Sequence, residues 1–149
     1  MYQGEELGLP EAKLTFEQLR DPWGIHLWPE WQGRDGCRTP MPWDHATHAG
    51  TWLPVPNTHT ALNAQAQDSD RYSTLNFTRH FISWRKTQPI LISGQIEFQD
   101  TGDERLLAFK RIKDSGEMLC IFNLGRQTRT FGDIELGPYG LSITGFLPP

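Results

Sequence analysis

Two textures divide the hydrophobic pattern of this chain. From about residue 90 onward, apolar and β-branched residues gather in short runs: Gln95–Phe98, Leu106–Ile112, Met118–Leu124, Thr128–Phe131 and Leu141–Phe146. Between them lie Asp100-Thr101-Gly102-Asp103, Lys113-Asp114-Ser115-Gly116 and Gly137-Pro138-Tyr139-Gly140, all turn chemistry. Short runs bounded by turns predict strands, and Asp114-Ser115-Gly116 between two of them predicts a hairpin. Leu107, Phe109 and Arg111 alternate with Ala108, Lys110 and Ile112, so the facing is imperfectly two-fold. This half reads as a small antiparallel sheet domain of about 55 residues, near the lower limit for folding alone.

Ahead of it the period is helical. Phe77, Phe81 and Trp84 recur at i, i+4 and i+7, and Leu75 and Ile82 widen the stripe. The spacing predicts a helix over Ser73–Thr87, with Ser73 or Asp70 as its cap and Pro89 behind its end. Arg79, Arg85 and Lys86 decorate the other faces, and cations suit a helix C-terminus. So apolar a face needs a partner layer, for which the residues before 95 offer few candidates.

Residues 1 to about 70 show little periodicity. Pro10, Pro22, Pro29, Pro40, Pro42, Pro54 and Pro56 interrupt them, and only a weak helix is expected, over Glu11–Leu19. So long an irregular stretch makes sense as loops elaborating a scaffold whose remainder lies elsewhere.

Composition narrows the function. The chain has 149 residues, 14 Lys and Arg against 18 Asp and Glu, and a net charge of −4 without a basic cluster. That argues against nucleic acid as a partner. No apolar run reaches the length of a membrane span. Neither a basic n-region nor an apolar h-region marks the N-terminus. Cys37 and Cys120 lie far apart and read as two reduced thiols, so a cytoplasmic location is expected. No metal site is expected: neither cysteine has a CxxC partner, and His45 and His48 lack a third ligand. Nothing in the pattern asks for a cofactor. Five of the six tryptophans (Trp23, Trp28, Trp31, Trp43 and Trp52) fall between residues 23 and 52. For most of them the favoured reading is that they bury long loops against a domain not present here, and for Trp43 and Trp52 packing under the loop is favoured over stacking on sugar.

The most informative stretch is Gly33-Arg34-Asp35-Gly36-Cys37-Arg38-Thr39-Pro40-Met41-Pro42-Trp43. Pro40 and Pro42 remove backbone donors, so it is no helix interior, and it does not alternate like a strand. It is a shaped polar loop of the kind that carries binding residues. Together with Tyr2-Gln3-Gly4-Glu5-Glu6-Leu7-Gly8-Leu9 it resembles the α-glucosidase and oligo-1,6-glucosidase branch of the α-amylase family, glycoside hydrolase family 13.

The resemblance covers nearly the whole chain and implies an α+β fragment. Residues 1–90 would be the C-terminal end of a catalytic (β/α)8 barrel, with its last strand, a long loop and its last helix. Residues 91–149 would be a small antiparallel β-sandwich domain. A whole barrel needs roughly 200 to 400 residues. In the family the three catalytic-site carboxylates follow the fourth, fifth and seventh barrel strands. None of their motifs occurs here, so the resemblance implies no catalytic residue in this chain and no activity from it alone. It carries two residues across: Arg38 as part of the closed end of the pocket for the terminal glucose, and Arg34 nearer its mouth. A guanidinium fork suits a carboxylate and sugar hydroxyls together. For Arg38 substrate contact is the favoured role, whereas for Arg34 a loop-pinning salt bridge stands level with it. The implied partners are an α-glucoside such as a malto- or isomalto-oligosaccharide and the missing N-terminal part of the barrel.

Other residues read as structural. Glu5 and Glu6, neighbours on an extended strand, would point to opposite faces and could not share one scissile bond. One of them is expected to satisfy loop amides or an arginine, Asp35 to orient its loop, and Asp68 and Asp70 to cap. Two other functions fit the same sequence: a non-enzymatic module that binds sugar or protein through its tryptophans, and a related transglycosylase.

Overall fold

A computed structural model describes residues 1–46, 50–114 and 116–148. The chain is a small α+β protein with an antiparallel sheet, and it divides into two compact units, residues 1–79 and 80–148.

In the first unit, short helical pieces replace regular structure. They are α1 (Pro22–His26), α2 (Asn57–Ala61), α3 (Ala64–Ser69) and the start of α4 (Thr74–Lys86), with 3-10 turns at Glu5–Leu7, Phe16–Gln18 and Asp35–Cys37. The weak helix expected over Glu11–Leu19 shrinks to the turn at Phe16–Gln18, closed by the Thr15 amide donating to Gln18 Oε1 at 2.9 Å. Ala12 and Leu14 ahead of it are two residues apart rather than three or four, so they form no helical stripe that would extend the turn. The barrel strand implied within residues 1–90 is not formed: among the described residues no strand precedes Gln95. A parallel barrel strand needs neighbours on both edges, and the described residues supply none. Ala12, Leu14, Leu19 and Leu53 form a small core, with Trp28 packed against it.

The helix α4 matches its predicted span within one residue at each end, and Ser73 is its cap, its Oγ accepting from the Asn76 amide at 3.2 Å. Asp70 serves the preceding turn instead, accepting from the Tyr72 amide at 2.9 Å. Pro89 does more than follow a helix end: it opens a further helix, α5 (Pro89–Ser93), at a position where its missing N–H costs nothing.

In the second unit, β1 (Gln95–Gln99), β2 (Leu106–Lys113) and β3 (Gly116–Asn123) pair antiparallel in sequence order. A hairpin of β4 (Arg129–Phe131) and β5 (Ile134–Leu136) follows, and β6 (Leu141–Ile143) returns to the free edge of β3. Lys113 pairs with Gly116, so the predicted hairpin has a two-residue loop. Asp114 has φ 53°, as such a loop demands, while Ser115 lies outside the described residues. At Gly137-Pro138-Tyr139-Gly140 the Gly140 amide bonds Gly137 O at 2.9 Å and Tyr139 has φ 54°. That is a type II turn with proline in its favoured second position.

One face of the sheet carries Leu106, Ala108, Leu119 and Ile121, which pack with Phe131, Ile134 and Leu136 of the hairpin. The run expected to end at Phe146 stops being a strand after Ile143. Phe146 turns inward instead, its ring 4.8 Å from Trp84 and 5.3 Å from Phe81. The partner for that end of the helical stripe therefore comes from the far end of the unit.

Candidate functional site

The loop of residues 33–43 is built on two buried carboxylates. Asp35 Oδ2 accepts from the amides of Arg20 at 2.6 Å and Asp21 at 2.7 Å. Asp21 in turn caps α1, accepting from the Trp23 amide at 3.1 Å, and its other oxygen accepts from the Arg34 amide at 3.0 Å. The two segments 20–23 and 34–35 are thus stitched together by charge-assisted bonds. Asp35 does what the sequence led one to expect, orienting the loop through backbone amides. The Arg34 amide, and then the Trp23 amide, hold the Asp21 carboxyl below the ordinary aspartate range against the opposing effect of burial. Gly33 makes the crossing feasible: its φ is 72°, and a Cβ there would lie 2.9 Å from Asp21.

The downstream half of the loop is anchored as firmly. Pro42 is fully buried, and its carbonyl accepts from the Ala64 amide at 2.9 Å. Thr39 is buried; its carbonyl accepts from Gln3 Nε2 at 3.1 Å, and its hydroxyl meets His59 Nδ1 at 3.1 Å. His59 Nε2 lies 2.6 Å from Pro10 O, so the ring donates there and accepts from Thr39.

On this frame the two arginines differ. Arg34 reaches back, its Nε 3.5 Å from Asp21 Oδ2, with 59% of its side chain exposed. Arg38 is held only by its backbone: its amide donates to Asp35 O at 2.9 Å, and its carbonyl accepts from Trp52 Nε1 at 2.9 Å. Its exposed guanidinium has no hydrogen-bond or ion-pair partner among the described residues. An open cleft of about 230 Å³ lies beside the loop, lined by Gln3, Glu5, Glu11, Cys37, Thr39 and His59, and neither arginine lines it.

Glu5 and Glu6 sit on a 3-10 turn rather than a strand. Each still accepts a local amide, Tyr2 for Glu5 and Gly4 for Glu6, both at 2.9 Å. Trp43 and Trp52 are 66% and 63% exposed, against the expectation that they pack under loops. Cys37 and Cys120 are both free; burial pushes the Cys120 thiol up, opposed by the Arg111 guanidinium. His45 meets Asn63 at 3.2 Å, and His48 lies outside the described residues.

Sequence reasoning missed three buried polar residues that hold this frame: His59, Asn63 and Gln67. Asn63 caps α3 by accepting from the Ala66 amide at 2.8 Å, a pattern that Asn63-Ala64-Gln65-Ala66 offers in plain view. Gln67 donates to Leu7 O at 2.8 Å and Leu62 O at 2.9 Å and accepts from the Leu75 amide at 3.0 Å. No local signal marks it, because its partners lie up to sixty residues away.

The α-amylase catalytic-domain profile matches residues 1–94. The chain is 42% identical over 135 residues to a probable α-glucosidase of Rhizobium meliloti, covering 87% of this chain and 24% of that protein. It is 25% identical over 154 residues to an oligo-1,6-glucosidase of Parageobacillus thermoglucosidasius, covering 88% of this chain and 27% of that protein. The crystal structure of an α-glucosyl transfer enzyme superposes with a TM-score of 0.86 at 37% identity, over 96% of this chain and 32% of that one. The chain spans about a quarter of the length of the relatives it matches.

Proposed function

This chain belongs to the α-amylase family, and from that membership we propose that it is the C-terminal portion of a retaining α-glucosidase. The whole enzyme releases terminal glucose from malto- or isomalto-oligosaccharides in two displacements. One carboxylate forms the glycosyl-enzyme and a second, about 5 to 5.5 Å away, first protonates the leaving group and then activates water. Both belong to the chain that precedes this segment. Residues 1–90 complete the barrel, and residues 91–149 form a C-terminal β-sandwich domain.

The observation that carries this reading is Arg38. Its backbone is fixed on both sides by Asp35 and Trp52, yet its guanidinium has no partner among the described residues. A charged fork on so braced a loop is prepared for a carboxylate and hydroxyls that another part of the enzyme and the substrate supply. Arg34 contributes at the pocket mouth while its Nε leans on Asp21. The buried carboxylates of this loop are occupied by backbone amides, which leaves them no part in bond cleavage. Incubation of the isolated chain with a chromogenic α-glucoside is expected to give no turnover. Turnover by a preparation free of any longer enzyme would overturn the assignment of catalysis to the preceding chain.

A non-enzymatic binding module is the second reading, favoured by the exposure of Trp23, Trp43 and Trp52. Saturable quenching of tryptophan fluorescence by maltose in the isolated chain would support it.

A further inference from the structure

The end of the sheet away from α5 holds a cleft walled by arginines. Lys113, at the close of β2, donates to Ser93 Oγ of α5 at 2.8 Å, so Leu106 and Asn123, paired across β2 and β3, lie at the other end. Three loops meet there. The Leu124 amide donates to Arg105 O at 2.7 Å, and the Tyr139 amide donates to Gly125 O at 3.0 Å. Asn123 is buried and ties the rims together from beneath. Its Nδ2 donates to Gln127 O at 2.7 Å and Gly137 O at 2.8 Å, and its Oδ1 accepts from the Gly125 amide at 2.9 Å. Between the loops is an open cleft of about 480 Å³, with Arg105, Gly125, Arg126, Arg129 and Tyr139 in its lining.

Three guanidinium groups thus gather at one place on a chain of net charge −4. Arg129 is fixed as the wall: its Nε donates to Asp103 Oδ2 at 2.7 Å and its Nη1 to Gln127 O at 3.2 Å. Gly125 allows this, because a Cβ there would stand 2.6 Å from Arg129 Nη1. Asp103 is turned into the wall, its other oxygen accepting from the Arg105 amide at 2.8 Å, and it does not line the cleft. Glu104 meets Arg105 Nε at 3.3 Å, an exposed pair that water screens. Arg126 has no carboxylate partner among the described residues; its Nε donates to Tyr139 Oη at 3.2 Å. The terminal nitrogens of Arg105 and Arg126 are likewise without a protein partner among the described residues. Tyr139 fills the third position of its turn at φ 54°, where glycine is favoured, and presents a ring that is 64% exposed. Free guanidinium forks match the oxygens of a doubly charged phosphoryl group, and a flat ring beside them gives an organic body a surface to lie on. We propose that this cleft binds a phosphate monoester, its phosphoryl oxygens on Arg105 and Arg126 and its organic part against Tyr139. The site uses no residue of the Arg34–Arg38 loop and does not rest on the α-glucosidase reading.

The test is titration of the 149-residue chain at about 0.15 M salt, followed by amide NMR. The probes are glucose 6-phosphate, AMP and inorganic phosphate, with glucose and adenosine as the uncharged counterparts. At least one monoester is expected to saturate the Gly125, Arg126 and Tyr139 amides at one to one, with a Kd below about 1 mM. It should bind at least about tenfold tighter than inorganic phosphate and than its own uncharged counterpart. The tighter of glucose 6-phosphate and AMP then identifies the organic part. Arg105→Ala and Arg126→Ala, both at exposed side chains, should each weaken that binding at least about tenfold. Arg126→Lys keeps the charge but loses the fork, and should weaken it at least about threefold. Lys86→Ala removes the same charge from the exposed end of α4 and should leave it within about twofold. Inorganic phosphate binding as tightly as both monoesters overturns the proposal, since Tyr139 then has no part. Equal weakening by Lys86→Ala and Arg126→Ala reduces the effect to diffuse attraction and overturns it too. A well-dispersed spectrum in which the Gly125, Arg126 and Tyr139 amides do not respond removes the site altogether.

Discussion

In residues 80–148 the amides of Leu106–Lys113 pair with the carbonyls of Gly116–Asn123, backbone to backbone. In residues 1–79 the amides of Arg20, Asp21 and Arg34 donate instead to two aspartates, and those of Ala66 and Leu75 to Asn63 and Gln67. Both regions pair nearly all their buried polar groups, as a folded chain must; among the described residues Arg111 Nε is the one buried side-chain polar atom left unpaired. The sheet does so with a repeating ladder, so its order is shared among many equivalent bonds. The loop region does so with a few side chains, each serving several amides or carbonyls at once. That second arrangement can hold an irregular surface such as the Arg34–Arg38 loop in one shape, at the cost of depending on single residues.

The sharpest way to break this contrast is in the cores. Ile121 is fully buried between the sheet and its hairpin, and Ile121→Ala is expected to cost on the order of 4 kcal/mol. Denaturant unfolding followed by peptide-resolved hydrogen exchange should show protection falling across all of β1–β3 and β6 together. A loss confined to β3 would mean that the ladder is not a cooperative unit. Gln67→Ala comes next. It strands the Leu7 and Leu62 carbonyls and the Leu75 amide, at a cost on the order of 3 kcal/mol. Here the loss of protection should centre on the segments around residues 7, 62 and 75. Unchanged exchange there would show that other groups, not Gln67, hold those segments.

Acid separates the regions more gently. Asp21 is buried and Asp103 of the second unit is half-exposed, and both carboxyls are held below the ordinary aspartate range. For Asp21 the Arg34 amide is the chief cause, and for Asp103 the Arg105 amide, with Arg129 adding to it. A carboxyl whose folded value is depressed stabilises the fold fully above the unfolded aspartate range, about pH 4. That contribution is lost as pH falls through the depressed folded value. Asp21→Asn should therefore flatten the acid limb of stability for residues 1–79 and leave that for residues 80–148 unchanged. The same limb in both proteins would remove Asp21 from the account.

The smallest effect on stability is expected at Arg38. With its side chain exposed and without a partner among the described residues, Arg38→Ala should change unfolding by less than about 0.5 kcal/mol. In an active chimera that carries this chain in place of the matching C-terminal segment of the Rhizobium meliloti relative, the same substitution should cut kcat/KM by at least tenfold. Full activity would take Arg38 out of the pocket.

Much of the second region was legible in the sequence. The strands β1, β2 and β3 and the helix α4 lie within two residues of the runs and stripe that predict them. The turns at Asp114 and at Gly137–Gly140 follow from their residue types. What escaped there is short. The strand β5 has three residues, and its link to β4, Gly132-Asp133, is itself hairpin chemistry that two such brief runs do not advertise. In the first region the motif that carries Arg34 and Arg38 was plain, and so was the role of Asp35. The α1 helix has its cap and its first-turn proline in Asp21-Pro22, a signal passed over because five residues leave no stripe.

The sequence by itself determined where periodic elements lie, which loop carries the candidate arginines, and which family the chain resembles. These are properties written within a few residues of one another: alternation, a helical stripe, a proline, a glycine. Only the tertiary structure decided that His59 would close on Pro10 and that Gln67 would hold Leu7, partners 49 and 60 residues apart. It alone also decided that one sheet face would be filled by the hairpin of Arg129–Leu136 while Ile96 and Phe98 on the other stayed exposed. Burial of an apolar side chain is governed by period, which a sequence displays. The pairing of a lone polar group depends on which distant backbone arrives beside it, and no local pattern records that.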